Sequence, residues 1–305
     1  MINFNKIKFL PYYGVSRLPI FILYFLSDLS YFVLYYLVKY RRIVVYNNLK
    51  NSFPDKNETE IRDIEKDFYR HFCDIMFEII KILTIGKKEL QNRFLVKNPG
   101  LIQKLYDKKR SITLYTSHQG NWELLAFLPV FIPYQVIALY QPQSSKYFDE
   151  LMKTIRERFG VICVESSKGY KTILEINARN ILTMNYIIGD QSPSGSSTKH
   201  WVHFLNQDTA FLIGADRIAK KSNHVVIFPS FRKIKRGYYE LEFKVIEEEP
   251  LLINSQEIID KYAALLESTI HVSPEMWLWS HKRWKQSRNT PGSQILKPAD
   301  SINEK

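Results

Sequence analysis

Cysteine is almost missing from this chain: Cys73 and Cys163 stand far apart among 305 residues, each inside an apolar pattern. A disulfide framework and a cysteine-based metal site are therefore excluded, and a reducing compartment with both thiols packed is the expectation. Glycine is sparse as well, with 11 residues, about half the usual share of ~7%. No P-loop, no dinucleotide glycine fingerprint and no Gly-x-Ser-x-Gly elbow occurs, which argues against the common nucleotide-dependent enzymes and serine hydrolases. His200-x-x-His203 lacks a Cys or a paired carboxylate to complete a zinc set, so no metal is expected. There is no internal repeat.

Acidic residues are also in deficit, 31 against 43 Lys and Arg, leaving a formal charge of +12 and a pI near 9.4. Hydrophobic residues make up 45% of the chain, with 19 Tyr and 19 Phe. Such a mixture suits a basic protein working at an anionic surface, whether membrane, nucleic acid or acidic carrier protein.

Residues 1–17 are basic and aromatic, with Lys6, Lys8 and Arg17, and lead into an apolar stretch over residues 18–38 that Lys39, Arg41 and Arg42 close. The stretch has the length of a bilayer-spanning helix, but Asp28 sits in its middle. A helix that lies at the interface, or packs Asp28 against protein, fits that carboxylate better than a clean span, and a groove-forming soluble helix is the alternative. No cleavage site follows. Basic residues flank both sides, so their bias gives no orientation. The expected organisation is a membrane-associated helix over residues 1–40, one large domain over 41–290, and a polar, disordered tail over 291–305.

Within the domain, residues 43–90 read as helical. Asn57-Glu58-Thr59-Glu60 carries a capping signal, and Ile61, Ile64, Phe68, Phe72, Ile75, Ile79 and Leu83 recur at helical spacing. His71 lies beside that stripe and reads as a satisfied core residue. A short helix over 101–109 precedes strands at 112–115, 135–139, 161–164 and 181–188, with helices at 147–159 and 170–179 between them. Further expectations are a helix over 209–219, paired strands at 225–231 and 238–245, and a helix over 255–269. The alternation predicts an α/β fold: a mixed, largely parallel sheet flanked by helices, with sites at the carboxyl ends of strands. Pro274 to Lys285 interleaves Trp with Lys and Arg, as either a surface for phosphate-bearing headgroups or a terminal helix with an aromatic inner face.

The chemistry concentrates in residues 111–128, which read strand, tight loop, helix. His118 ends the strand and Glu123 opens the helix, a base and its orienter that the loop can fold together to activate a substrate hydroxyl. A core histidine is the bland alternative. The Asp190 loop follows a buried strand and forms the natural second wall, binding substrate or capping a turn.

Thr116-Ser117-His118-Gln119-Gly120-Asn121-Trp122-Glu123 resembles the His-x4-Glu block of the bacterial lipid A biosynthesis (lauroyl/myristoyl) acyltransferase family, similar in turn to the lysophospholipid acyltransferases with His-x4-Asp. Further blocks follow in family order: Tyr40-Arg41-Arg42, Asn48-Leu49, Phe53-Pro54, Asp190-Gln191, Phe204-Leu205 with Thr209 and Gly214, and Trp277-Leu278-Trp279-Ser280-His281-Lys282-Arg283-Trp284-Lys285. The resemblance implies a glycerolipid acyltransferase-like fold. It also implies transfer of a fatty acyl chain from an acyl thioester, acyl carrier protein or acyl-CoA, to a hydroxyl of a lipid A precursor at the cytoplasmic face of the bacterial inner membrane. His118 would take the acceptor proton and Glu123 would orient the imidazole, while Asn121, Asp190, Gln191 and Arg158 are the candidates for substrate contact. No cofactor, metal or nucleic acid is implied. The positive charge would serve both the anionic membrane and an acidic carrier protein.

Two departures bear on the acceptor. Tyr140-Gln141-Pro142 stands where many members read Tyr-Arg-Pro, and Phe204-Leu205-Asn206 where many read Phe-Phe-Gly. Another lipid acceptor, such as a lysophospholipid, an amino-acid lipid or a pigment lipid, is the first alternative. A basic membrane- or nucleic-acid-binding protein without catalysis is the second.

Overall fold

The computed structural model describes residues 4–193, 199–286 and 288. A 3-10 turn at Phe4–Phe9 opens the chain, followed by α1 (Leu10–Ser16) and α2 (Ile20–Phe32), the latter running into a π-helical turn at Val33–Leu37. Then come α3 (Arg42–Ser52), α4 (Glu58–Lys81), α5 (Lys87–Arg93), β1 (Phe94–Val96), α6 (Pro99–Asp107) and β2 (Ile112–Thr116). A 3-10 helix at Trp122–Val130 leads to β3 (Gln135–Tyr140), α7 (Lys146–Glu157), β4 (Ile162–Glu165), α8 (Ser166–Asn177) and β5 (Thr183–Ile188). The last elements are β6 (Lys199–Phe204), β7 (Gln207–Leu212), α9 (Gly214–Ser222), β8 (Val225–Lys235), β9 (Tyr238–Glu247) and α10 (Glu257–Val272), with a 3-10 turn at Pro274–Met276.

Seven strands form one sheet in the order β1-β9-β8-β2-β5-β3-β4. Every neighbouring pair is parallel except the β8–β9 hairpin. That is the mixed, largely parallel α/β sheet that the alternation predicts. Its central strands are covered on both sides: Val225 and Ile227 of β8 enter one apolar cluster, Val226 and Phe228 the other. Alternate side chains of a strand point to opposite faces, so the two clusters are the two layers of core.

α4 starts on the expected capping box. Asn57 Oδ1 accepts from Glu60 N at 3.0 Å, and Glu60 Oε2 accepts from Asn57 N at 2.9 Å. His71 is buried on this helix, as expected. Burial, then the nearby Lys233 charge, pulls it down to about 3, so it is neutral.

Three local expectations are corrected. The segment from Trp122 folds as a 3-10 helix, with Pro129 inside it removing a donor. Residues 209–219 are not one helix. β7 pairs antiparallel with β6 across the two-residue turn Leu205-Asn206, both at positive φ (50° and 62°), and α9 begins only at Gly214. A two-residue hairpin turn of that kind suits Asn at its second position. Of the two readings of the Trp-rich end, the inward-facing aromatics hold, although the chain is not helical beyond Met276, and the headgroup surface does not. Trp277 and Trp279 are buried, as is Arg283. The tail at 291–305 lies outside the described residues, and the loop after Asp190 is described as far as Pro193.

Candidate active site

β2 and β5 are parallel neighbours with Thr116 opposite Ile188. The chain therefore leaves both strands at the same edge of the sheet, and Ser117-His118 and Gly189-Asp190 emerge side by side. Gly189 N extends the ladder by donating to Thr116 O at 3.0 Å. A Cβ on Gly189 would fall 2.1 Å from the Tyr115 ring, which is buried and stacked on Tyr262 with centroids 3.7 Å apart. Gly189→Ala is thus expected to overpack this strand end and to lower stability by roughly 1–3 kcal/mol. A urea midpoint unchanged from wild type would show that Tyr115 can yield.

The loop after His118 is fixed by the C-terminal segment. Gln119 and Trp277 form an antiparallel bridge, Gly120 N donates to Met276 O at 2.9 Å, and Leu278 N donates to His118 O at 3.1 Å. Gly120 has φ +64°, and a Cβ there would lie 2.7 Å from Phe231 Cβ, so the turn passes β8 at a distance that only glycine permits.

His118 is held twice by Asp190. Its backbone N–H donates to Oδ2 at 2.8 Å, and its ring Nδ1 donates to Oδ1 at 2.8 Å. Trp277 Nε1 donates to Oδ2 at 2.8 Å, so the buried carboxylate accepts three hydrogen bonds. Burial raises the Asp190 carboxyl. The facing His118 and these bonds outweigh it and hold the group below the usual aspartate value. With Nδ1–H committed to Asp190, the hydrogen-bond network assigns the lone pair to Nε2. The imidazole side chain keeps 16% exposure, sits edge-on to Trp122 with ring centroids 5.1 Å apart, and has Gln191 Nε2 3.3 Å from its own Nε2. A ring in this tautomer, partly open, is equipped to accept a proton from a hydroxyl.

Glu123 is not the ring's hydrogen-bond partner. Its carboxylate receives Arg156 in a bidentate pair, Nε to Oε2 at 2.8 Å and Nη2 to Oε1 at 2.6 Å. Burial raises the Glu123 carboxyl, and the Arg156 charge and hydrogen bonds, with a lesser contribution from His118, bring it below the usual glutamate value. The orienting contact expected of Glu123 is made instead by Asp190.

The remaining candidates divide. Gln191 reaches the imidazole. Asn121 is fully buried, and its Nδ2 donates to Glu78 Oε2 at 2.7 Å, a carboxylate that also accepts from Tyr239 at 2.9 Å and Tyr24 at 3.0 Å. Asn121 therefore ties the site loop to α4. Arg158 donates to the carbonyl of Ile82 and stacks over Phe159 at 4.6 Å, so it braces the end of α4. Arg156 on α7 stands four residues after Met152, which packs against the core. That helical phase is the signal for an arginine turned inward. His200 and His203 lie beside Asp260 (2.7 Å) and Asp208 (4.0 Å), and no group of three potential metal ligands occurs among the described residues.

The sequence matches the bacterial lipid A biosynthesis acyltransferase family over residues 10–286. The chain belongs to that family, and its class is that of the lipid acyltransferases. No curated protein matches it. Among solved structures it is similar to the 1-acyl-sn-glycerophosphate (LPA) acyltransferase PlsC from Thermotoga maritima, with 14% identity, a TM-score of 0.39, and coverage of 83% of this chain and 98% of that one. The stretch Ile20–Leu37 is long and apolar enough to cross a membrane, and only 17% of it is buried against the rest of the chain.

Proposed function

We propose that this protein moves a fatty acyl chain from an acyl thioester to a hydroxyl of a lipid A precursor at the cytoplasmic face of the bacterial inner membrane. The observation that carries the reading is the double grip of Asp190 on His118, which assigns the ring's lone pair to Nε2, where Gln191 Nε2 stands at 3.3 Å in the place an acceptor hydroxyl would take. The acceptor hydroxyl gives its proton to Nε2 as its oxygen attacks the thioester carbonyl. The tetrahedral intermediate then expels the thiolate, breaking the C–S bond, and the imidazolium returns the proton to sulfur. Asp190 stabilises the imidazolium between these steps. Gln191, against the ring, is a positioning residue for the acceptor.

A small recess of about 30 Å3, room for a water or two, lies under the 3-10 helix and is lined by Ile82, Ile85, Leu90, Leu124 and Phe127 together with Glu78, Lys81 and Arg93, so it does not hold an acyl chain as it stands. The net charge of +12 suits an acidic carrier protein as donor. A second acceptor class is favoured by one observation: Gln141, exposed just beyond β3, removes a cation that could meet phosphate. A lysophospholipid, amino-acid lipid or pigment lipid fits that change.

The test is direct. Purified protein, given acyl carrier protein or coenzyme A thioesters and candidate acceptors, is expected to form an acylated lipid seen by mass spectrometry, and lipids of a deletion strain should lack the same species. Failure to consume either thioester with any acceptor, alongside salt-sensitive binding to membranes, would favour a non-catalytic membrane-binding protein.

A further inference from the structure

We infer that the apolar helix α2, with its continuation to Leu37, lies in the plane of a single anionic leaflet and does not cross the membrane. The inference does not depend on the acyl-transfer reading. It rests on how the helix is held.

One face of this helix is fastened to the domain along its length by polar contacts. Tyr24 donates to Glu78 at 3.0 Å, Ser27 donates to Asp74 at 2.7 Å, and Arg70 lies over the Tyr31 ring at 5.1 Å. Partner numbers fall on α4 as they rise on α2, so the two helices run side by side and antiparallel. At mid-length, Arg236 from the β8–β9 turn bonds Asp28 and Asp74, each at 2.6 Å. The opposite face carries Phe21, Phe25, Leu29, Phe32 and Tyr36, at 70%, 68%, 54%, 51% and 46% exposure. Spacings of three and four put these on one stripe.

A spanning α2 would take its companions with it. The Asp28–Arg236 pair, partly exposed, and Asp74 would enter hydrocarbon at mid-depth, alongside the charged outer face of α4. An in-plane helix avoids that. Its aromatic stripe enters the acyl boundary while the fastened face and its charges stay on the protein side. Arg17 before the helix and Lys39 after it then lie at the same depth, both among lipid phosphates. Cations at both ends favour an anionic leaflet over a second copy of this equally basic chain.

Topology is read from single-cysteine variants, with Cys73 and Cys163 changed to Ser and either Arg17→Cys or Lys50→Cys added. Both positions are exposed and bracket the helix. In sealed vesicles from expressing bacteria, a membrane-impermeant maleimide is expected to label the two from the same side. Labelling from opposite sides would overturn the inference. A Phe21→Ser/Phe25→Ser/Leu29→Ser variant with unchanged circular dichroism is expected to bind phosphatidylglycerol vesicles at least 10-fold more weakly. Unchanged vesicle binding, or loss of self-association in place of loss of vesicle binding, would overturn it as well.

Discussion

Asp190→Asn is expected to lower kcat on the order of 10^3- to 10^4-fold while KM and the fold change little. The carboxylate accepts from three N–H groups, two on Oδ2 and one on Oδ1. An amide has one accepting oxygen. Facing that oxygen toward His118 N and Trp277 Nε1 preserves two bonds but turns the NH2 toward Nδ1. The ring can answer only by moving its proton to Nε2, and the base is lost although nothing has moved. The opposite flip confronts two donors with a third and costs more. His118→Ala is expected to be at least as inactive, whereas Glu123→Gln should lose less, because Glu123 makes no hydrogen bond to the ring. Steady-state kinetics on the three variants decides the matter. An active Asp190→Asn beside an inactive Glu123→Gln would return the orienting role to Glu123.

Much of the frame was legible because its signals are local. The capping box of α4, the apolar runs of β2 and β5 and the strand-to-turn position of His118 each lie within a dozen residues. The identity of the histidine's partner was not legible, since Asp190 stands 72 positions away and meets His118 only because β2 and β5 are adjacent, an order that spacing alone does not fix. Glu123, near in sequence, drew the assignment by proximity. The chain over 207–212 misled for a related reason: its strand is held by pairing with β6, and propensity over six residues is weaker than that tertiary constraint. The Trp-rich end fitted either a surface or an inner aromatic face because Lys and Arg alternate with its indoles. It packs inward because Trp277 caps Asp190, Trp279 Nε1 donates to Pro274 O at 2.6 Å, and Trp284 Nε1 reaches Thr209 at 2.7 Å.

Arg156→Met is expected to reverse the pH dependence of stability contributed by Glu123. In the wild type, Arg156 holds the buried Glu123 carboxyl below its unfolded value. A depressed carboxyl contributes stability that is fully present above the unfolded value, near 4.5, and lost as pH falls through the lower folded value. Without the guanidinium, burial is the dominant influence and raises the folded value instead. Stability is then greatest below the unfolded value and declines as pH rises through the raised one. At neutral pH the stranded charge should cost about 3–5 kcal/mol, read as a lower urea midpoint, and the deficit should shrink toward pH 5. Glu123→Gln/Arg156→Met removes both charges from the site and should recover most of the loss. A single variant as stable at pH 8 as at pH 5 would show that water reaches the carboxylate and that the pair is not buried in solution. The double variant also separates two roles for Glu123: if the carboxylate only anchors α7 to the turn, kcat stays within about 10-fold of wild type. A stable double variant that transfers no acyl chain would place the charge of Glu123 in the reaction itself, acting through space on the His118 imidazolium.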